Sequence, residues 1–279
     1  MKKFSKVCLI LAAVLLVFGI GISAAAVAMG ASLMDLPSIG FGYEGDGWDW
    51  SNYDEEWDVG EGESNQNFVE VKNLNIDMSG GFVQVLSGDA GEQIQVSIGS
   101  GDGGYECYQD GETLYIETRI KQNQRGFDHL HHGREIQILV PTGYLFDTVE
   151  VDVKAGEFIA EQLECGKLNM DVKAGSATVE NGTVDNFAGE CKAGEVIYQG
   201  VVNNVVEADC QVGSLEMKLL GKKEDFNYDI QVSVGEISLD NRDYSGMGKK
   251  HHIAHQTAQG TMDLECSAGA IEITFYESL

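Results

Sequence analysis

Apolar and polar residues alternate along most of this chain beyond residue 68, and the alternation is packaged into a recurring phrase. The phrase reads apolar, any, apolar, acidic, apolar, any, small, glycine. Copies end at Gly81, Gly156, Gly175, Gly194, Gly213, Gly235 and Gly269, as in L-N-M-D-V-K-A-G and V-E-A-D-C-Q-V-G. From Gly156 to Gly213 the glycines fall every 19 residues, and the next steps are 22 and 34. A fixed period of this size predicts stacked units, each touching only its neighbours.

The residues before each glycine are in strict period two. Seven before stand Leu74, Val149, Leu168, Phe187, Val206, Tyr228 and Met262, and three before stand Met78, Val153, Val172, Cys191, Cys210, Val232 and Cys266. Two after it the phase resumes, with Val83, Phe158, Ala177, Val196, Leu215, Ile237 and Ile271. Each unit is therefore predicted to be a half-buried strand, a corner, and a second strand pointing inward again. Glycine suits the corner because it accepts positive φ and a close backbone approach. The expected fold is all-β: a β-solenoid, or parallel β-helix-like stack, with in-register ladders ~4.8 Å apart and an aliphatic interior.

The amino-terminal region reads differently. Lys2, Lys3 and Lys6 precede an uncharged apolar run from Val7 to Ala31, long enough to span a bilayer as a helix. Lysines before it and acidic residues after it predict an amino terminus in the cytoplasm and the remainder outside, as a single-pass membrane protein. The rival expectation is a signal peptide cleaved near Ala28, within the small-x-small sequence Ala26-Val27-Ala28, giving a secreted protein. Residues 32–67 follow as a flexible, acidic, Gly-rich stalk that carries Trp48, Trp50 and Trp57 and no Lys or Arg. The folded domain is then expected over residues 68–279.

Within that domain, strands are predicted at Gln93–Ile98, Tyr105–Tyr108, Thr113–Arg119 and Glu135–Val140, with Gln109-Asp110-Gly111-Glu112 as a hairpin turn. The run Ile136-Gln137-Ile138-Leu139-Val140-Pro141-Thr142-Gly143, followed by repeated K-A-G and x-A-G corners, resembles the DUF4097 family, candidate adhesins of the bacterial cell envelope. The resemblance covers about residues 68–276. It implies a β-strand-repeat solenoid outside the membrane and brings no catalytic residues with it. The acidic Trp-bearing stalk and two histidine loops depart from the family.

Charge and side-chain chemistry narrow the function. A net charge of −27 argues against nucleic acid, whose phosphates need cationic partners. Four residues before the glycines stand Asp77, Asp152, Asp171, Glu190, Asp209, Gln231 and Glu265, which the pattern turns outward as a column. Lys154, Lys173 and Lys192 form a second column on the same face, so a solvated charge zipper is expected, with calcium bridging between carboxylates as the alternative. The histidines lie in two clusters, His129, His131 and His132, and His251, His252 and His255. Imidazoles this close are candidate ligands for zinc, copper or nickel, although no H-E-x-x-H motif or neighbouring cysteine accompanies them. Cys191, Cys210 and Cys266 share the inward column of Val153, where a thiol acts as a small apolar filler.

No nucleophile elbow or phosphate-cradling loop is present, and no cofactor is expected. The expectation is a non-catalytic, membrane-anchored binding, adhesion or structural module of the envelope, with an envelope protein or glycan as ligand. An envelope-stress sensor is the first alternative; a polysaccharide-active β-helix enzyme and a histidine-loop metal binder are the others. The last rung, Ile271–Phe275, would leave an open ladder edge for self-association or a partner strand.

Overall fold

The computed structural model describes residues 64–99, 104–119 and 135–277. By backbone contacts the chain divides into Met1–Glu56 and Trp57–Leu279. The expected membrane segment, the stalk up to residue 63, and His129, His131 and His132 lie outside the described residues. Among the described residues no helix is long and apolar enough to cross a membrane.

The described residues are all-β, with one 3-10 turn at Lys223–Asp225. In chain order the strands are β1 (Ser64–Phe68), β2 (Asn73–Met78), β3 (Phe82–Gly88), β4 (Ile94–Ile98), β5 (Gly104–Asp110), β6 (Thr113–Arg119), β7 (Glu135–Pro141), β8 (Leu145–Val153), β9 (Glu157–Glu161) and β10 (Glu164–Val172). They continue as β11 (Ser176–Cys191), β12 (Glu195–Cys210), β13 (Ser214–Leu220), β14 (Phe226–Val232), β15 (Glu236–Leu239), β16 (Arg242–Asp243), β17 (Lys249–Ile253), β18 (Gly260–Cys266) and β19 (Ala270–Tyr276). The four strands expected in the first half are present, and β5 and β6 form the expected antiparallel hairpin around Gly111, at φ 59°. Strand structure already begins at Ser64, inside the stretch assigned to the stalk, because β1 pairs antiparallel with β4.

Two parallel ladders are built from the repeated phrase. The half before each glycine makes the first ladder, in the order β6, β2, β8, β10, the second half of β11, the second half of β12, β18 and β14. Equivalent residues meet in register: Met78 pairs with Val153, Val153 with Val172, Val172 with Cys191, and Cys191 with Cys210. The half after each glycine makes the second ladder, in which Val83, Phe158, Ala177, Val196, Leu215, Ile271 and Ile237 pair successively. Strands β11 and β12 run from one ladder into the other and join them in a single sheet. Their inward faces form one hydrophobic core, and every one of the paired residues just named is buried. Burying a Val or Leu side chain contributes roughly 1.5–3 kcal/mol, which is why the period-two pattern fixes the facing of each strand.

The corners are governed by close approach more than by φ. Gly156 and Gly175 have φ of 101° and 140°, yet Gly194, Gly213, Gly235 and Gly269 are outside the positive region. What the latter share is space: a Cβ on Gly213 would lie 2.2 Å from the Gly194 carbonyl oxygen, and one on Gly269 2.5 Å from that of Gly213.

The order of rungs departs from chain order at both ends. Strands β2 and β3 lie between β6–β7 and the later β8–β9. Strands β18 and β19 slot between β12–β13 and β14–β15. This corrects the expectation that Ile271–Phe275 is an open terminal rung: β19 is hydrogen-bonded on both sides, to β13 and β15. Antiparallel strands cover the outer rungs instead, β4 and β5 against β7 and β6, and β16 and β17 against β15 and β14. The 34-residue step from Gly235 to Gly269 thus contains a covering excursion.

Candidate functional site

The outer face of the first ladder carries an unbroken column of carboxylates. Register places Glu117, Asp77, Asp152, Asp171, Glu190, Asp209 and Glu265 on successive rungs, followed by Gln231 and Lys250. Like charges ~4.8 Å apart in water repel by somewhat under ~1 kcal/mol, so seven in a row create a sustained negative potential.

Lysines neutralise only part of it. Lys154 Nζ lies 2.6 Å from Asp77 Oδ1, Lys173 Nζ 2.8 Å from Asp152 Oδ2, and Lys192 Nζ 3.5 Å from Asp171 Oδ2 and 3.3 Å from Glu190 Oε1. Each lysine sits one turn past its own strand and reaches back to the preceding rung. On the following rungs its place is taken by Gln211, Ser267 and Ser233. Gln211 Nε2 donates to Glu190 Oε1 at 3.3 Å, but among the described residues neither Asp209 nor Glu265 is in an ion pair, and Lys192 acts on Asp209 only from beyond contact distance. The charge zipper expected from sequence therefore holds from Asp77 to Glu190 and stops there. The signal that marks its end, the loss of lysine at 211, 233 and 267, is readable in the chain.

At the same place the surface dips. The neighbouring outward column runs Tyr115, Asn75, Glu150, Asn169, Ala188, Glu207, Asp263 and Asp229. Ala188, between Asn169 and Glu207, leaves a gap that opens into a shallow groove of about 460 Å³, walled by Asp171, Glu190, Glu207, Asp209, Asp263 and Glu265. Asn169 Oδ1 and Asp171 Oδ1 are screened from solvent there without a hydrogen-bond partner. Burial raises the Asp171 carboxyl above its ordinary range against the pull of Lys192 and Lys173. Burial, with the Glu190 and Glu265 carboxylates, raises Asp209 as well.

The histidines described are separately engaged. His252, on the covering strand β17, has Nδ1 2.7 Å from Asp229 Oδ1; His255 Nδ1 is 2.7 Å from the Phe226 carbonyl oxygen. His251 packs edge-on against Tyr244, with centroids 5.2 Å apart. Among the described residues no group of three or more His, Cys, Asp and Glu side chains is arranged to hold a metal ion. The corner residues approach one another closely in the order Gly81, Gly156, Gly175, Gly194, Gly213, Gly269 and Gly235.

In the interior, Cys191, Cys210 and Cys266 occupy adjacent rungs as free, buried thiols. The Cys210 thiol draws those of Cys191 and Cys266 down to about 7 and is itself pushed up by them. Burial alone pushes Cys107 up to about 12, and burial with the Asp185 carboxylate does the same for Cys165.

No family model matches the chain, and no curated protein matches it. Among solved structures, the chain is similar to a candidate cell-adhesion protein from Clostridium sporogenes, with a TM-score of 0.46, 14% identity, and coverage of 77% of this chain and 99% of that one. It is also similar to a candidate adhesin from Bacteroides fragilis (TM-score 0.32, 13% identity, 76% and 96% covered). A third is a candidate lipid-binding protein from Parabacteroides distasonis (TM-score 0.28, 12% identity, 79% and 96% covered). These likenesses do not extend to the identity of a ligand for this chain.

Proposed function

We propose that the chain is a non-catalytic binding module of the bacterial cell envelope, a β-solenoid of the DUF4097 type anchored through residues 7–31 with its folded part outside. It holds a cationic ligand, such as a lysine- or arginine-rich protein segment or an amine-bearing polymer, along the uncompensated part of its carboxylate column. The observation that carries this reading is that the lysines end at Lys192 while carboxylates continue through Asp209 and Glu265. The backbone ladder holds these groups at fixed spacing, so a ligand with several positive charges relieves existing repulsion without ordering the protein. Their summed field also steers such a ligand to the groove and makes its affinity salt-dependent.

The test is calorimetry of the full chain with poly-L-lysine at low ionic strength. Asp209→Asn with Glu265→Gln is expected to weaken binding about tenfold or more, a loss of ~1.4 kcal/mol. The charge-matched pair Asp77→Asn with Asp152→Asn, whose carboxylates already bond Lys154 and Lys173, is expected to weaken it far less. Equal losses in the two variants, or no binding by the unaltered chain, would overturn the reading.

A further inference from the structure

The interior column of the first ladder is aliphatic on both sides of its thiols: Val153 and Val172 precede Cys191, and Val232 follows Cys266. Valine fills the position well, so packing does not demand sulfur on three consecutive rungs. Cys191, Cys210 and Cys266 are 0%, 0% and 2% exposed. Cys210 interacts with the thiols on both sides of it.

The next corner glycine passes directly over each sulfur, as Gly194 passes over Val172 Cγ1 on an aliphatic rung. A Cβ on Gly213 would lie 2.6 Å from Cys191 Sγ, one on Gly269 2.6 Å from Cys210 Sγ, and one on Gly235 2.4 Å from Cys266 Sγ. The Gly194 N–H lies beside Cys191 and that of Gly269 beside Cys266, whereas those of Ser214, Ala270 and Glu236 are donated to the Gly194, Gly213 and Gly269 carbonyl oxygens. A donor beside sulfur favours thiolate over thiol.

We propose that this column is a linear two-sulfur site for one soft monovalent cation, Cu(I) or Ag(I), held between Cys210 and either Cys191 or Cys266. In-register side chains repeat at ~4.8 Å, whereas a disulfide wants its β-carbons about 3.8 Å apart. Two metal–thiolate bonds of ~2.3 Å laid end to end span about 4.6 Å, close to the ladder spacing. Three sulfurs in a row cannot converge on one point, which disfavours a tetrahedral ion such as zinc and leaves digonal coordination by neighbours. Thiolate donors in a dry apolar interior select a soft ion over calcium or magnesium. Binding replaces two S–H bonds by two S–metal bonds and releases two protons, with no change of oxidation state. The bound unit keeps one negative charge, beside the Gly194 N–H at Cys191 or the Gly269 N–H at Cys266.

The test uses the full chain, refolded anaerobically with silver nitrate and washed with methionine to strip weakly held silver. Retained silver is measured by elemental analysis and by native mass spectrometry, with circular dichroism to confirm folding. About one ion per chain is expected to survive the wash. Cys210→Val, which imitates Val172, is expected to lose it, because Cys191 and Cys266 are then two rungs apart. Cys191→Val and Cys266→Val should each retain one ion, and the double variant none. Silver retained by folded Cys210→Val, or lost from folded Cys191→Val, would overturn the site. So would a native chain that is two hydrogens lighter through an S–S bond within the column.

Discussion

Lys173 bridges two rungs: its ammonium lies 2.8 Å from Asp152 Oδ2 on the preceding rung and 3.8 Å from Asp171 Oδ2 on its own. Both members of the closer pair are about one-third exposed, at 30% and 35%. A double-mutant cycle with Lys173→Met and Asp152→Asn is expected to give a coupling of roughly 0.5–1 kcal/mol in denaturant unfolding. The coupling should shrink as salt is added. No coupling at low salt would mean that the lysine column does not stabilise the stack.

Asp209 supplies a pH prediction. Its carboxyl is raised above 3.8 by burial and by Glu190 and Glu265. A raised carboxyl binds its proton more tightly folded than unfolded, so the folded state takes up protons between the unfolded and folded values. Stability therefore falls as pH rises through that window. Asp209→Asn removes the penalty and is expected to stabilise the protein at neutral pH by about 0.2–1 kcal/mol. The gain should vanish below the unfolded value, as followed by thermal unfolding. A neutral-pH melting temperature no higher than that of the unaltered chain would contradict the assigned repulsion.

Gly200→Ala tests the inter-rung approach at the second corner. Its φ is 150°, and an added Cβ would fall 1.9 Å from the Gly182 carbonyl oxygen. Gly91 also has positive φ, 67°, but faces open space. Gly200→Ala is expected to cost ~2–4 kcal/mol and Gly91→Ala about 1 kcal/mol. Similar losses at the two sites would show that φ, and not crowding by the neighbouring rung, sets the requirement.

Truncation after Gln259 tests the rung order. It removes β18 and β19, which separate β12–β13 from β14–β15. Because these strands are interior, the shortened protein is expected to lose its cooperative unfolding transition and to bind a hydrophobic dye. A sharp transition near the original temperature would place the last repeat at an end after all.

The sequence reveals which residues face inward because period two and the glycine phase are local properties. Val153, Val172, Cys191 and Cys210 fall into register as their 19-residue spacing demands. It does not reveal rung order where spacing becomes irregular. Beside Cys210, either Val232 or Cys266 would fit the same inward slot, and only the long covering excursion of β16 and β17 allows Cys266 to take it. The carboxylate column was legible for the same local reason. Its partial neutralisation was legible in the replacement of lysine by Gln211, Ser233 and Ser267, whereas the groove was not. That dip depends on Ala188 lying beside the longer Asn169 and Glu207, a relation that exists only once the rungs are stacked.

The two out-of-order rungs give the molecule opposite assembly histories at its two ends. Strands β2 and β3 are synthesised early and are then sandwiched by segments made later, so growth proceeds from them in both directions. At the other end, residues 226–253 emerge before 260–276, the only described stretch that links them to the growing body. The nascent chain therefore carries an unsealed seam until its closing segment arrives, and these long-range contacts should make that closure the slow, chaperone-sensitive moment of folding.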